Sequence, residues 1–172
     1  MRIAIYTLGC KVNQYETQAM EQELLRRGHT LVPFETAADG YIVNTCSVTA
    51  VSDKKSRQMI RRCRKLNPAA VVAACGCYVQ THAAEAASLD IDLIAGTGDR
   101  MAFLDLFEQA ARERQPLTLL DDALRRREFE ILPAGGMAQR TRAMLKVEDG
   151  CVNFCTYCII PYARGPVRSL PL

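Results

Sequence analysis

No stretch of this 172-residue chain is apolar for long enough to span a membrane, and no leader-like segment precedes its first strand-like run, Arg2-Ile3-Ala4-Ile5-Tyr6. Those two absences predict a cytoplasmic protein with no membrane partner. Repeats and low-complexity tracts are also lacking, so solenoid and disordered-tail architectures drop out. The net charge is only +3, too small by itself to imply nucleic-acid binding. What remains is a chain with 49% hydrophobic residues, enough for one good core, and eight cysteines. In a reducing compartment, clustered cysteines read as metal ligands or reactive thiols, not as a disulfide framework.

The strongest positive signal is the run Gly150-Cys151-Val152-Asn153-Phe154-Cys155-Thr156-Tyr157-Cys158, a C-x3-C-x2-C pattern. A cubane iron–sulfur cluster usually takes one thiolate per iron, so three cysteines leave one iron open to a small ligand. Open metal positions do chemistry, whereas closed ones hold structure together. The competing reading is a zinc knuckle completed by a distant ligand such as His29 or His82.

Upstream, short apolar strands at Arg2–Leu8, Tyr41–Thr45, Ala70–Ala74 and Asp92–Ala95 alternate with helical stretches over Asn13–Arg27, Val51–Leu66, Val79–Ser88 and Asp99–Arg112. This alternation predicts an α/β fold, an open and mostly parallel sheet with flanking helices. Asn13 and Glu16 stand at capping-box spacing, and Gly28 marks a helix stop. Cys10, Cys46 and Cys77 each lie just past the carboxyl end of a strand, the edge at which open parallel sheets bind ligands. Three thiols converging there can hold a second cluster. Cys75 rivals Cys77, because residues two apart on an extended chain share a side. Cys63 falls with Met59, Ile60 and Leu66 on one helix face and reads as core.

The chain divides into a domain over 1–113, a connector over 114–140 marked by Pro116, Pro133, Gly135 and Gly136, and a segment 141–172 that opens on a strand at Thr141–Val147. Charge is uneven despite the small total. Lys54, Lys55, Arg57, Arg61, Arg62, Arg64 and Lys65 crowd one helix, which suits either phosphate contacts or a solvated face.

Three segments, Thr7-Leu8-Gly9-Cys10-Lys11-Val12-Asn13-Gln14-Tyr15-Glu16, Val43-Asn44-Thr45-Cys46-Ser47-Val48-Thr49 and Gly76-Cys77-Tyr78-Val79-Gln80, resemble the methylthiotransferases, a family of radical S-adenosylmethionine enzymes. The likeness continues through Lys146-Val147-Glu148-Asp149-Gly150 and Ile159-Ile160-Pro161-Tyr162-Ala163-Arg164-Gly165, on either side of the cysteine loop. It implies two 4Fe-4S clusters, an auxiliary one on Cys10, Cys46 and Cys77 and a radical one on Cys151, Cys155 and Cys158, while Cys63 and Cys75 match no ligand. It also implies that S-adenosylmethionine binds the open iron and, supplied with an electron, gives a 5′-deoxyadenosyl radical. A second S-adenosylmethionine would methylate a sulfur carried on the auxiliary cluster.

The wording of Leu8 to Glu16 is most similar to the branch that acts on N6-threonylcarbamoyladenosine beside the tRNA anticodon. Neighbouring branches act on isopentenyladenosine in tRNA or on a ribosomal-protein aspartate. The implied partners are therefore tRNA and an electron donor. The resemblance further implies that 141–172 is the first strand and cluster loop of a truncated β/α barrel, too short to turn over alone. Two other classes stay in view: a zinc-binding structural module on the same six cysteines, and a thiol redox protein, for which Cys75-Gly76-Cys77 lacks the usual two-residue spacer.

Overall fold

The computed structural model describes residues 1–132 and 144–171. Six parallel strands form the main sheet among them: β1 (Arg2–Thr7), β2 (Thr30–Leu31), β3 (Gly40–Thr45), β4 (Val71–Gly76), β5 (Leu93–Ala95) and β6 (Leu117–Leu119). Their order across the sheet is β2-β1-β3-β4-β5-β6, and each neighbouring pair is parallel. Because β2 and β3 flank β1 on opposite sides, the winding reverses at β1, and the crevice past the carboxyl ends of β1 and β3 is the topological switch point.

Helices seal both faces, which is why the strands read as nearly continuous apolar runs. Helices α1 (Lys11–Arg26) and α5 (Arg100–Glu113) bring Met20, Leu24, Phe103, Leu104 and Phe107 onto Ile3, Ile42, Val71 and Leu93. On the other face, α2 (Ala50–Leu66), α3 (Cys77–Thr81) and α4 (Ala83–Ala87) bring Met59, Ile60, Tyr78, Val79 and Ala86 onto Ala4, Tyr41, Val43 and Val72. Thr49 caps α2, its hydroxyl accepting from the Ser52 amide. Cys63 is fully buried in this second layer, as its helical spacing predicts.

The expected α/β sheet is the one observed, with differences in detail. Edge strands β2 and β6 join it from stretches read as loop and as connector. The helix expected over Val79–Ser88 is two short helices that meet at His82. Asn13 and Glu16 do not form a capping box: α1 begins at Lys11 after an extended Cys10, with no side-chain cap.

After β6 come a 3-10 turn (Ala123–Arg125) and then the segment 144–171, which carries β7 (Glu148–Asp149), α6 (Ile160–Arg164) and β8 (Arg168–Ser169). Strands β7 and β8 pair antiparallel, and α6 packs on α3 and on the 3-10 turn. The strand expected at Thr141–Val147 is not found over 144–147, where Lys146 is buried while Leu145 and Val147 are 75% and 55% exposed, so the alternation faces the wrong way for an apolar core. Its first three residues, and Pro133, Gly135 and Gly136 of the connector, lie outside the described residues. No helix among the described residues is long and apolar enough to cross a membrane.

Candidate metal centre at the sheet edge

Side chains stitch three strand ends together. Asn13 donates to the carbonyls of Leu8 at 2.7 Å and Thr45 at 2.9 Å, which ties the end of β1 to the end of β3. Thr45 in turn donates its hydroxyl to the Cys75 carbonyl at 2.6 Å, which ties β3 to β4. Ser56 reaches from α2 to the Cys46 carbonyl at 3.1 Å. Each of these bonds gives a partner to a main-chain carbonyl at or near a strand terminus.

Into this frame come the three cysteines expected to share a site. Cys10 is exposed at the start of α1, while Cys46 and Cys77 are buried, at 3% and 2% exposure. Gly9 lets the loops close: at φ +99°, a Cβ there would stand 2.7 Å from the Cys46 sulfur, so no other residue allows the Cys10 loop to lie over Cys46. The Cys77 thiol is pushed up to about 11 by burial, drawn back by Arg164 and raised further by Glu16 and by the thiols of Cys10 and Cys46, which are close enough to act on it.

The other thiols are placed differently. Cys75 is fully buried in the apolar layer beneath α1 and α5, and its thiol is also raised to about 11 by burial. Cys63 donates to the Met59 carbonyl within its own helix. His29 pairs with Glu108 at 2.7 Å and with the amino terminus, at the opposite end of the sheet, and so is removed from the zinc-knuckle reading. His82 stacks on Tyr78 and shares a hydrogen bond with Thr81.

The second cysteine loop runs from Cys151 to Cys158 over the surface. Cys155 is exposed, Cys151 and Cys158 are partly buried, and the Cys158 amide donates to the Cys155 carbonyl. Its base is anchored where the Cys151 amide donates to Gly165 at 3.0 Å. Gly165 has φ +80°, and a Cβ on it would meet the Ala123 carbonyl at 1.9 Å, so that close approach requires glycine. Helix α6 starts two residues after Cys158 and packs on α3, which itself starts at Cys77. Both cysteine sets therefore stand on one edge of the sheet.

Behind them lies a buried ionic network that sequence reasoning missed. Glu16 is fully buried and accepts from Arg100 at 3.0 Å and Arg164 at 2.8 Å, with Lys146 at 3.5 Å. Asp149 binds Lys146 at 2.7 Å and Arg164 at 3.2 Å, with Arg168 at 3.6 Å. Burial alone would raise the Glu16 carboxyl, but Arg100 and Arg164, then Lys146, outweigh it and hold the group well below the usual carboxylate range. Glu130, which accepts from the Arg100 amide, is raised by burial.

Among the described residues, no group of three or more histidine, cysteine or carboxylate side chains is arranged to hold a single metal ion. The donor set nonetheless fits a cluster. Each thiolate of a cubane binds a different iron, and the edge offers thiols, a glycine where bulk would intrude, and a cation acting on Cys77, while the Glu16 carboxylate is taken up by Arg100 and Arg164.

On the basic helix, charge is partly spent inside the molecule. Arg57 pairs with Glu85, Arg62 with Glu35, and Arg64 with Asp90 and Asp92. Lys54, Lys55, Arg61 and Lys65 are exposed and make no ion pair among the described residues.

The fold and the strand-end cysteines define a parallel α/β unit with thiols at its carboxyl edge. The family model described as uncharacterized protein family UPF0004 matches residues 2–96, and the chain belongs to that family. Its relatives are methylthiotransferases. The threonylcarbamoyladenosine tRNA methylthiotransferase of Bacillus subtilis is 46% identical over 168 residues, covering 97% of this chain and 37% of the relative. That of Aquifex aeolicus is 38% identical over 173 residues, covering 100% of this chain and 42% of the relative. A ribosomal protein uS12 methylthiotransferase of Desulfitobacterium hafniense is 29% identical over 180 residues, covering 98% and 38%. The chain thus spans about two fifths of the length of the curated relatives it matches.

Proposed function

We propose that this chain is the cluster-bearing amino-terminal portion of a radical S-adenosylmethionine methylthiotransferase that converts N6-threonylcarbamoyladenosine beside the tRNA anticodon to its 2-methylthio form. The observation that supports the reading is that Cys10, Cys46 and Cys77 each follow the carboxyl end of one of three neighbouring strands, β1, β3 and β4, with the Cys151 loop tied to the helix that packs on α3. The substrate branch is supported by identities of 46% and 38% to two threonylcarbamoyladenosine enzymes against 29% and 34% to two ribosomal-protein ones. Methylthiolation of isopentenyladenosine or of a ribosomal-protein aspartate is the alternative.

In this reading Cys10, Cys46 and Cys77 hold an auxiliary 4Fe-4S cluster, and Cys151, Cys155 and Cys158 hold the radical one. The bound clusters supply reductive cleavage of S-adenosylmethionine and a sulfur carrier. The chain's own residues hold the thiols in register, exclude bulk at Gly9, and set Arg100 and Arg164 close to the thiols. What we assign to these residues is cluster binding; turnover, with tRNA, an electron donor and a cytoplasmic setting, belongs to the length of the relatives. Residues 1–113 form the auxiliary-cluster domain, 114–140 the connector, and 141–172 the start of a radical domain.

Iron, zinc and acid-labile sulfide per chain after anaerobic reconstitution test the proposal. About eight irons with matching sulfide and a brown chromophore are expected. Stoichiometric zinc that iron does not displace, without sulfide, would replace the enzymatic reading with a structural metal module.

A further inference from the structure

We propose that Arg164 is a positioning residue shared by the two cysteine loops, a single guanidinium that spans from Asn13 and Glu16 on the Cys10 side to Asp149 on the Cys151 side. The inference rests on the functional reading above only where it concerns clusters; the geometry stands apart from it.

Arg164 is 3% exposed, and each arm of its fork is committed. One terminal nitrogen donates to Glu16 at 2.8 Å and to both oxygens of Asp149 at 3.2 Å. The other donates to Asn13 at 2.7 Å and to Glu16 at 3.3 Å. Asn13 is the residue that ties the ends of β1 and β3 together, three positions after Cys10. Asp149 accepts from the Gly150 amide at 2.8 Å, immediately before Cys151. The Arg164 carbonyl accepts from Arg168 at 2.9 Å, which fixes the return strand β8. One planar cation therefore joins the entry to one cysteine loop with the entry to the other, while the main chain at the same residue holds the return strand.

The chemistry favours arginine specifically. A lysine supplies a point charge with no fixed fork, so it can balance Glu16 or Asp149 without fixing the angle between them. Glu16 completes the seat from the other side, held by Arg100, which anchors to the Gly96 carbonyl at 2.9 Å. The frame that orients the second loop is thus built into the first strand–helix unit.

Two variants of the 172-residue chain test this, Arg164→Gln and Arg164→Lys. In the metal-free protein, amide exchange over 149–170 should quicken by on the order of a hundredfold in Arg164→Gln, while the β3 and β4 amides keep their protection. Unchanged exchange over 149–170 overturns the proposal. If Arg164→Gln loses protection throughout, Arg164→Lys decides, and it must loosen 149–170 while sparing β3 and β4. In reconstituted and reduced protein, the electron paramagnetic resonance signal should differ between the parent and Arg164→Lys with iron content unchanged. A signal in Arg164→Lys identical to that of the parent would mean a charge-balancing role only and would overturn positioning. A parent chain that takes up no iron would sink the functional reading, yet the exchange arm would still decide the role of Arg164.

Discussion

Between residues 2 and 119 the sheet is closed on both faces by apolar side chains, with Ile3, Ile42 and Leu93 under α1 and α5 and Tyr41, Val43 and Val72 under α2. Between 144 and 171 the large buried side chains are instead Lys146, Asp149, Arg164 and Arg168, with Pro161 and Ala163 as the apolar company. The difference matters because the two kinds of burial do different jobs. Apolar area gives strength without direction. A buried ionic network gives little net stability but admits few geometries, and removing one partner leaves an uncompensated charge. The sheet can thus be a sturdy platform while the cysteine loop beside it is aimed by charge.

The sharpest way to break the comparison is to damage each kind of burial in turn, the apolar layer at Phe107 and the ionic network at Glu16 of α1. Phe107→Ala, at a fully buried site in the layer under α1 and α5, should cost about 4 kcal/mol and lower the urea midpoint of the whole protein. Glu16→Gln should cost about 3 kcal/mol by stranding Arg100 and Arg164, and protease cutting within 144–171 should then precede unfolding of the sheet. Equal, concerted loss in both variants would mean that the two regions are one cooperative unit.

Acid separates them next. The Glu16 carboxyl is held well below its ordinary 4.5 in the folded chain, so its contribution is complete above that value and is lost as the pH falls beneath it. Urea midpoints followed from about pH 7 to about pH 3 should hold steady down to the carboxylate range and then fall, more steeply in the parent than in Glu16→Gln. Parallel curves would remove Glu16 as the acid-sensitive group.

A smaller effect is expected on the basic helix. Arg61→Glu should weaken tRNA binding at low salt and reduce the salt slope by roughly one unit, while Arg62→Glu, whose parent side chain already pairs with Glu35, should do less. Binding that neither variant alters would leave this face as solvated surface.

The sheet was legible because its central strands are buried on both faces and bounded by glycine, proline and asparagine. Strands β2 and β6 were not, since two or three residues carry no measurable period and are recruited by a preformed edge. At 144–147 an apolar alternation pointed outward because Lys146, not Leu145 or Val147, had a buried partner. The capping-box spacing of Asn13 and Glu16 was real, but three-residue spacing on a helix also places two side chains on one face, and here that face meets Arg164. The cysteines marked the candidate site by their spacing and strand-end positions. The network behind them joins residues as far apart as 13 and 164, a pairing that no local pattern records, although the tract holding Arg164 was part of the family likeness.

The central claim is that two separate thiol sets on one edge each hold their own cluster. Iron counted in anaerobically reconstituted Cys46→Ser and Cys155→Ser chains tests it most directly. The account predicts that each variant keeps about half of the parent's iron, with the surviving half removed when the two substitutions are combined. Either single variant losing all of the iron, or neither losing any, would contradict it.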